Sequence, residues 1–327
     1  MLHQPSFAHA EFAAKKKVTT RERFLGEMER VVPWARLVAL IQPHYPQGLR
    51  GRPPIGIERM LRIYFLQHWY ALADEALEDA IYDSQAMRFF AGIDLSVEAV
   101  PDATTLLKFR HLLEAHSLTQ QLFEVVNALL GEHRLLLRQG TIVDATIIAA
   151  APSTKNRQKE RDPEMHQTRK GQQYHFGLKA HIGVDAESGL VHTVTATAAN
   201  VADIAQTHAL LHGDEDVAFT DAGYIGVEKR PEIMAAHPTV KFVVAAKRGK
   251  LKALAEGALK TALLALEKVK AQVRARVEHP FHVVKNLFRH RKARYRGLAK
   301  NLAQLHTLFA LANLVIAKRA LLSGASA

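Results

Sequence analysis

Cysteine is absent from this chain of 327 residues, which excludes disulfide scaffolds, thiolate zinc sites and cysteine nucleophiles. Acidic residues are scarce, since 32 Asp and Glu stand against 44 Lys and Arg and leave a formal net charge of +12. A basic excess of this size favours a polyanionic partner or a membrane surface. Hydrophobic residues make up 48% of the chain and charged residues 23%, a composition typical of a globular protein and not of a disordered tail.

Long apolar runs are also missing. The most apolar late stretch, residues 307–317, has about half the roughly 20 residues that a membrane span needs, so we predict a core helix there and no membrane partner. The first 14 residues contain no apolar signal region and no small-residue cleavage site, so export is not expected. The length leaves room for two or three domains with a sizeable core.

The first part of the chain has the apolar periodicity of helices. Thr19 and Glu22 have the spacing of a capping box before an apolar face, and Pro33 ends that run. A loop rich in Pro and Gly follows over residues 43–56. Further helices are predicted from residue 57, over residues 74–90 and over residues 104–113. We therefore predict an all-helical domain over residues 1–138.

After Gly140 the pattern changes to that of a mixed sheet. Residues 141–148 are short, β-branched and apolar, which is typical of a buried strand. A charged loop over residues 152–173 is expected to separate this strand from a hairpin. The later predicted strands cover residues 174–184, 190–198, 217–221 and 240–246, with helices over 203–211 and 228–236 and long helices at the end. Strands and helices in this order predict an α/β domain over residues 139–327.

Two aspartates in the predicted strands are candidates for chemistry. Asp144 lies in the middle of an apolar strand, where a carboxylate is costly to bury unless it is paired or binds a cation. Asp221 ends another strand and precedes Gly223, and ligands gather at the carboxyl ends of strands in open α/β sheets. A single aspartate at a strand end is more often a turn or helix-cap residue. Two in adjacent strands are a much less common coincidence.

Glu278 is the third candidate carboxylate. If its segment is one helix, Arg274, Glu278 and Lys285 lie on one face, although Pro280 fits only in the first helical turn or at a kink. The alternative is an ordinary surface ion pair between Arg274 and Glu278. Three carboxylates suit Mg²⁺ or Mn²⁺, and two such ions can assist an in-line displacement at a phosphodiester.

The positive charge is concentrated close to Glu278. Between residues 271 and 300 there are nine Lys and Arg and one acid, so a phosphate-backbone contact is favoured over a solvated helix face. The candidate DNA contacts in this run are Arg289, Arg291, Lys292 and Arg294. The 18 histidines are interpreted as surface and core groups and not as a metal cluster.

Two further DNA contacts are weaker candidates. Lys179 lies in a predicted strand whose odd-numbered positions would point toward Asp144 if the two strands are neighbours. Its contact would be with phosphate. Arg50-Gly51-Arg52-Pro53 has the form of a hook for the minor groove, but four residues in a Pro- and Gly-rich loop are poor evidence for it.

Three fragments resemble the acidic blocks of bacterial DDE transposases: Val143-Asp144-Ala145-Thr146, Asp221-Ala222-Gly223-Tyr224, and the segment around Glu278. They are similar to the "insertion sequence five" branch, whose last block has an arginine four residues before the glutamate and a lysine seven after. Glu256 and Glu267 have neither neighbour. Ala271 departs from the tyrosine that often precedes that arginine, which puts one DNA-end contact in doubt. The similarity extends over almost the whole chain and includes residues 30–34, 101–105 and 295–301.

The resemblance implies a ribonuclease-H-like catalytic domain over residues 139–327, behind a helical domain over residues 1–138 that binds the terminal inverted repeats. Asp144, Asp221 and Glu278 would be the catalytic residues and would bind two Mg²⁺ or Mn²⁺ ions. Arg274 and Lys285 would hold phosphates near the scissile bond.

The implied reaction has two steps, hydrolysis of a DNA strand to free a 3′-hydroxyl and joining of that hydroxyl to target DNA. It would be carried out by a homodimer or larger assembly on DNA, in the bacterial cytoplasm at the nucleoid. A ribonuclease-H-like nuclease or resolvase would share the acidic site but never join strands. A catalytically dead DNA-binding protein would have lost an acid, and all three are present.

Overall fold

The computed structural model describes residues 15–48, 53–157 and 159–324. The first 14 residues and Arg50, Gly51 and Arg52 of the proposed hook lie outside the described residues. The chain forms two compact units, one that runs to Val126 and resumes at Leu314, and one that covers Asn127–Asn313. Each unit is built from the elements that the sequence patterns predict, with a small number of differences.

The first part of the chain is helical, as predicted. Its helices are α1 (Thr20–Val31), α2 (Trp34–Ile41), α3 (Ile57–Tyr70), α4 (Asp74–Asp83), α5 (Gln85–Ala91), α6 (Ala103–Ala115) and α7 (Leu118–Glu132). The capping box is present, because the Thr19 side chain accepts from the Glu22 backbone and the Glu22 side chain accepts from the Thr19 backbone. The helix predicted over residues 74–90 is two helices, since Ser84 leaves helical geometry and caps α5 with its own side chain.

Aromatic side chains fill the core of the helical unit. Trp34, Phe65, Trp69 and Phe90 contact one another with ring centroids 5.6 to 5.9 Å apart, which is the usual separation for packed rings. The guanidinium of Arg62 lies 4.4 Å from the Trp34 ring centroid. A positive charge over an aromatic face is attracted to the ring quadrupole, so the Arg62 guanidinium packs on the aromatic core and stabilises it.

The second unit contains a sheet of six strands. They are β1 (Gly140–Ala149), β2 (His166–Lys170), β3 (Gln173–Asp185), β4 (Val191–Ala198), β5 (Val217–Thr220) and β6 (Lys241–Val244). The order is β2-β3-β1-β5-β6, with β4 also paired to β3. The pairs β1–β3, β2–β3 and β3–β4 are antiparallel, whereas β1–β5 and β5–β6 are parallel. The predicted α/β class with a mixed sheet is confirmed.

Helices follow the strands in the second half of the chain. They are α8 (Thr207–Leu210), α9 (Pro231–Ala236), α10 (Arg248–Lys252), α11 (Ala258–Arg274), α12 (Glu278–His282) and α13 (Leu298–Gly324). Side chains of α8, α9, Ala218 of β5 and the turns after β5 pack on Val143 of β1 in one hydrophobic cluster. Val143 points away from the face that carries the Asp144 side chain, so this cluster packs behind Asp144 and fixes the strands that carry the candidate carboxylates.

Strand β2 lies within the stretch predicted as a charged loop. Its sequence, His166-Gln167-Thr168-Arg169-Lys170, is polar at every position, and four of its five residues are exposed. Strand prediction relies on apolar alternation, which an edge strand with two solvated faces does not need. The pairing with β3 alone makes this segment a strand.

The helix α13 is long and apolar enough to cross a membrane by length and composition, with a mean hydropathy of 1.4 over its most apolar window. Two thirds of that window, 67%, is buried inside the protein. Phe309, Leu311 and Leu314, within the stretch predicted as a core helix, are each 1% exposed. The buried helix therefore has the environment predicted for residues 307–317.

Candidate active site

Asp144 and Asp221 occupy equivalent positions on neighbouring parallel strands. The pairing of β1 with β5 begins at Gly140 and ends at Ile142 opposite Phe219. Each aspartate lies two residues beyond that last pair. The two carboxylates therefore extend from the sheet where the strands separate, on the same face, because side chains two residues apart share a face.

The carboxyl group of Asp144 is largely buried and lies close to other charges. Burial raises its pKa to about 6, and the charges of Asp221 and Asp203 act in the same direction. A hydrogen bond of 2.7 Å from the Ala145 backbone N–H to Oδ1, and the charge of Arg274, act in the opposite direction. The negative charge of Asp144 is therefore unfavourable in the folded protein without a further cation.

Asp221 caps the 3-10 turn that follows β5. Its Oδ1 accepts a 2.7 Å hydrogen bond from the Gly223 backbone N–H. A Cβ on Gly223 would come within 2.9 Å of that Oδ1, so a larger residue here would require the Asp221 carboxylate to shift. Tyr224, the next residue, is buried, and its hydroxyl has no hydrogen-bond partner among the described residues.

Asp203 is a carboxylate near these two that the sequence analysis did not single out. It begins the 3-10 turn Asp203–Gln206, which packs against the turn after Asp221. Its Oδ1 lies 2.9 Å from the Lys179 ammonium, so it already has a cationic partner. It follows the end of β4 closely, and a carboxylate after a strand end is the signal that marked Asp221.

Lys179 is held inside the second unit. Its ammonium is paired with Asp203 and also donates a 2.8 Å hydrogen bond to the Val201 carbonyl. The β1–β3 register places Lys179 opposite Ile147, and Asp144 opposite Ile182. Paired residues of neighbouring strands point to the same face, so the even-numbered positions of β3 share the face of Asp144. The expectation that the odd-numbered positions point toward Asp144 is therefore wrong. A phosphate contact by Lys179 stays a prediction.

The segment from Arg274 to Lys285 is helical but is not one regular helix. It passes from α11 through the 3-10 turn Ala275–Val277 into α12, and then into a π-helical turn over Val283–Leu287. Pro280 is the third residue of α12, where its missing N–H has no helical partner to lose. The single face predicted from a 3.6-residue period does not persist through these changes of pitch.

Glu278 opens α12, directly after a 3-10 turn that packs against β1. Its side chain is exposed and makes no hydrogen bond or ion pair with the described residues. It is not among the charges that shift the pKa of Asp144 most. The structure thus brings Asp144 and Asp221 together and places Glu278 on the element next to them.

The two alternative glutamates have partners of their own. Glu256 is paired with Lys260, with an N–O separation of 2.5 Å. Glu267 is paired with Lys270 at 2.7 Å and accepts a 2.9 Å hydrogen bond from the Ala246 backbone. Their carboxylates are therefore engaged within the protein, whereas that of Glu278 has no partner among the residues that the structure describes.

Lys285 lies on the same face of the sheet as Asp144. Its ammonium donates to Thr146 Oγ1 at 2.7 Å and to the Ile147 carbonyl at 2.8 Å, and Thr146 is two residues beyond Asp144 on β1. Burial lowers the pKa of Lys285 below its ordinary value, and the charges of Lys170 and Arg291 act in the same direction. Several cations therefore lie close together here.

Arg274, at the end of α11, is half-buried and acts electrostatically on Asp144. Its guanidinium makes no hydrogen bond or ion pair within the part of the chain that the structure describes. A cation beside the aspartates without a carboxylate of its own can receive a phosphate.

The basic run after Lys285 is attached to the end of β1. The backbone N–H of Ala293 donates to the Ala149 carbonyl at 2.7 Å, and Ala149 donates to the Arg291 carbonyl at 3.3 Å. The side chains of the four predicted DNA contacts are exposed: Arg289, Arg291, Lys292 and Arg294. Their charges thus face solvent beyond the end of the strand that carries Asp144.

A second polar group, His192, His212 and Glu215, has ligand atoms within 4.8 Å of one another, close enough to hold a metal ion. It adjoins Thr141, whose hydroxyl donates to Glu215 Oε1 at 3.1 Å and so must accept from His192 Nε2 at 3.0 Å. The backbone N–H groups of His212 and Gly213 also donate to this carboxylate. Glu215 and His192 therefore already have hydrogen-bond roles, whereas His212 Nε2 is buried and has no hydrogen-bond partner among the described residues.

Comparison with known protein families gives two matches. The family described as "Transposase DDE domain" matches residues 136–314, and "Transposase domain (DUF772)" matches residues 12–112. No solved structure gives a significant match to the chain. The first match covers more than half of the chain and the whole six-stranded sheet, which is the ribonuclease-H-like catalytic domain of such enzymes.

Both the carboxylate pair beside Arg274 and the concentrated basic charge fit an enzyme that acts on DNA phosphates. Members of the matched family generally use divalent metal ions. The helical first half and the mixed-sheet second half each match a transposase domain, and together these findings identify the chain as a member of the DDE-domain transposase family, the polynucleotidyl transferases of mobile DNA elements.

Proposed function

We propose that this chain is the transposase of an insertion sequence of the "insertion sequence five" branch. It binds the terminal inverted repeats of its element, hydrolyses a strand to free a 3′-hydroxyl, and joins that hydroxyl to target DNA. The observation that carries the proposal is the placement of Asp144 and Asp221 at equivalent positions where β1 and β5 separate, within a segment that matches the DDE domain.

The donor set of this site fits a hard divalent cation. Asp144, Asp221 and Glu278 offer only carboxylate oxygens, which Mg²⁺ and Mn²⁺ prefer. The raised pKa of Asp144 reflects burial and the nearby charge of Asp221, and a cation would remove that repulsion. We propose that two ions bind here, and when bound they supply Lewis-acid stabilisation of the attacking and leaving oxygens.

The remaining side chains have separate roles in this proposal. Arg274 binds a non-bridging phosphate oxygen beside Asp144, because its guanidinium acts on that carboxylate and has the donor geometry that phosphate prefers. Lys285 holds the adjacent phosphate and, through Thr146, is fixed relative to β1. The basic run Arg289, Arg291, Lys292 and Arg294 contacts the DNA backbone away from the scissile bond. Lys179 is a lesser candidate for such a contact because Asp203 already neutralises it.

The two halves of the chain divide the work in our proposal. Residues 1–138 recognise the element ends, and residues 139–327 carry out the chemistry. Since the reaction handles two ends, we propose that a homodimer or larger assembly forms on DNA. The DNA substrate places the protein in the bacterial cytoplasm, at the nucleoid.

The test is an assay of the purified full chain on linear DNA that carries the native element's ends, with Mg²⁺ or Mn²⁺. We expect both strand cleavage and joining of the new 3′-hydroxyl to a second DNA. Cleavage without joining would favour a ribonuclease-H-like nuclease or resolvase. Full activity in excess chelator, or the absence of cleavage by folded protein, would contradict the proposal.

A further inference from the structure

One face of the sheet leads from Asp144 toward an aromatic pair at the far end of β3. The β1–β3 register sets Asp144 opposite Ile182, and side chains two residues apart share a face, so Phe176 and Tyr174 lie on the Asp144 side. Phe176 is six residues along β3 from Ile182, which is roughly 20 Å at about 3.3 Å per residue. The two rings are therefore separated from Asp144 by a short stretch of one surface.

Cations occupy the surface between these two points. Lys285 is anchored at Thr146 on the Asp144 face. Its pKa is lowered first by burial and then by the charges of Lys170 and Arg291, so these cations lie near it. The exposed Lys292 is bridged to the end of β1 at Ala149. This succession provides positive charge at intervals, as a polyanionic strand requires.

The aromatic end of this surface is an open cavity of about 410 Å³, within the range of ~300–1,000 Å³ for small-ligand sites. Tyr174, Phe176 and Lys292 line it. The Tyr174 side chain is 65% exposed, which is unusual for a large ring on a strand. The guanidinium of Arg161 lies 5.4 Å from the Phe176 centroid.

The guanidinium of Arg169 lies 5.7 Å from the Tyr174 centroid, over one face of that ring. We propose that this cavity binds one unpaired base of the DNA strand that passes Asp144, stacked on the other face of Tyr174, while the cations from Lys285 to Lys292 hold the phosphates between. An exposed ring beside cations is the feature that binds single-stranded nucleic acid, since every base has a face that stacks. Tyr174 is eight residues along β3 from Ile182, so this base lies within about eight stacked nucleotides of the scissile phosphate. The inference deepens the proposed function and rests on it for the path of the strand.

The test uses the full chain without divalent ions and a 15-nucleotide oligo(dT) with one central 2-aminopurine. We expect the wild type to quench 2-aminopurine on binding. Tyr174→Leu should lose this quenching and bind the single strand at least about fivefold more weakly, because the stacked ring is gone. Tyr174→Phe should keep both properties. Binding of the same sequence as a duplex should be unchanged in both variants, since its bases are already stacked.

A matched pair of lysine variants tests the phosphate path. Lys292→Gln should weaken single-strand binding and reduce its log–log salt slope by about 0.7. Lys241→Gln, which removes an equal exposed charge from β6 at the opposite side of the sheet, should leave both unchanged. Circular dichroism would verify that each variant is folded, and Tyr174→Gln offers a second way to remove the ring.

Quenching and affinity of Tyr174→Leu equal to those of the wild type would overturn the inference, as would an equal loss of duplex binding. The cleavage and joining assay separates this outcome from failure of the proposed function. If the protein cleaves and joins DNA but Tyr174→Leu changes neither quenching nor affinity, only the proposed stacking site is contradicted. If no cleavage occurs but Tyr174→Leu still loses quenching and affinity, the single-strand site is supported and the proposed transposase activity is contradicted.

Discussion

Two polar groups lie on the same strand β1, and they differ in how their charges are satisfied. Thr141 and Asp144 are three residues apart, so their side chains point to opposite faces. On the Thr141 side, buried Glu215 accepts from one hydroxyl and two backbone N–H groups. On the Asp144 side, the carboxylate accepts from the Ala145 N–H and lies in the field of Asp221.

This difference indicates a structural role for the group around Glu215 and a chemical role for the group around Asp144. The Glu215 group includes two histidines that are neutral at ordinary pH, since burial lowers the pKa of His192 to about 3 and also lowers that of His212. Its single negative charge has hydrogen-bond donors around it. The Asp144 group crowds like charges, which a fold accepts only where a cation or substrate compensates. We expect substitutions in the first group to reduce stability and those in the second to remove activity.

The largest effect should come from the aspartates. Asp144→Asn and Asp221→Asn should each reduce cleavage at least about a hundredfold with DNA-end binding retained, because an amide of the same size weakens the cation site and leaves the helical half unchanged. Cleavage assays and gel shifts on the element ends would measure both. Glu215→Gln, on the other side of β1, should stay within about threefold of wild type. Cleavage by either aspartate variant within tenfold of wild type would remove that residue from the mechanism.

Glu278 should behave like the aspartates even though its side chain is exposed. Glu278→Gln removes the charge, and Glu278→Asp moves the carboxylate by about 1 Å, which costs on the order of a hundredfold in rate. Both variants should melt like the wild type, since this side chain is exposed and has no hydrogen bond or ion pair with the described part of the chain. The matched controls are Glu256→Gln and Glu267→Gln, with rates near wild type. Loss of cleavage in Glu256→Gln or Glu267→Gln, with both Glu278 variants near the wild-type rate, would show that Glu278 is not the third catalytic carboxylate.

The next largest effect concerns stability on the Thr141 side. Glu215→Ala leaves the Thr141 hydroxyl and two backbone N–H groups without an acceptor, and each buried orphan costs about 1–3 kcal/mol. We expect a loss on the order of 4 kcal/mol in the free energy of unfolding, measured by urea denaturation. Asp221→Ala, which frees only the exposed Gly223 N–H, should cost less than about 1 kcal/mol. Equal losses would mean that the two groups do not differ as described.

Part of the arrangement around Asp144 could be predicted from the sequence. Asp144 and Asp221 follow from local signals, a carboxylate in an apolar strand and one at a strand end. Their adjacency depends on the parallel pairing of β1 with β5, which the order of strands and helices indicates only as a class of fold. The capping box at Thr19 and the β3–β4 hairpin follow from neighbouring residues, and both are present.

Interactions between distant residues could not be predicted. Thr141 and Glu215 are 74 positions apart, and neither has a local motif. The pairing of Asp203 with Lys179 likewise depends on where the turn after β4 lies against β3. The irregular helix around Pro280 combines three helical pitches, and no single period describes it. Strand β2 has no apolar pattern because both of its faces are solvated.

The smallest expected effect is on stability at the Asp144 side, and its sign is opposite to that of Glu215→Ala. An acid whose pKa is raised on folding binds its proton more tightly in the folded state. The folded state therefore becomes less stable as the pH rises from about 4 to about 6. Above this range the charge of Asp144 lowers the free energy of unfolding by at most about 3 kcal/mol. Asp144→Asn removes that cost and keeps an oxygen for the Ala145 N–H.

We therefore expect Asp144→Asn to unfold at a higher temperature than the wild type at pH 7.5 in EDTA, with the difference vanishing below about pH 4. The difference between the two proteins is the quantity to follow, because His181 and His192 have lowered pKa values in both and reduce the stability of both in acid. Mg²⁺ should then raise the melting temperature of the wild type at pH 7.5 more than that of the variant, since a bound cation stabilises only the folded state that holds it. A variant less stable than the wild type at pH 7.5, or one that gains equally from Mg²⁺, would show that Asp144 is satisfied within the fold as Glu215 is.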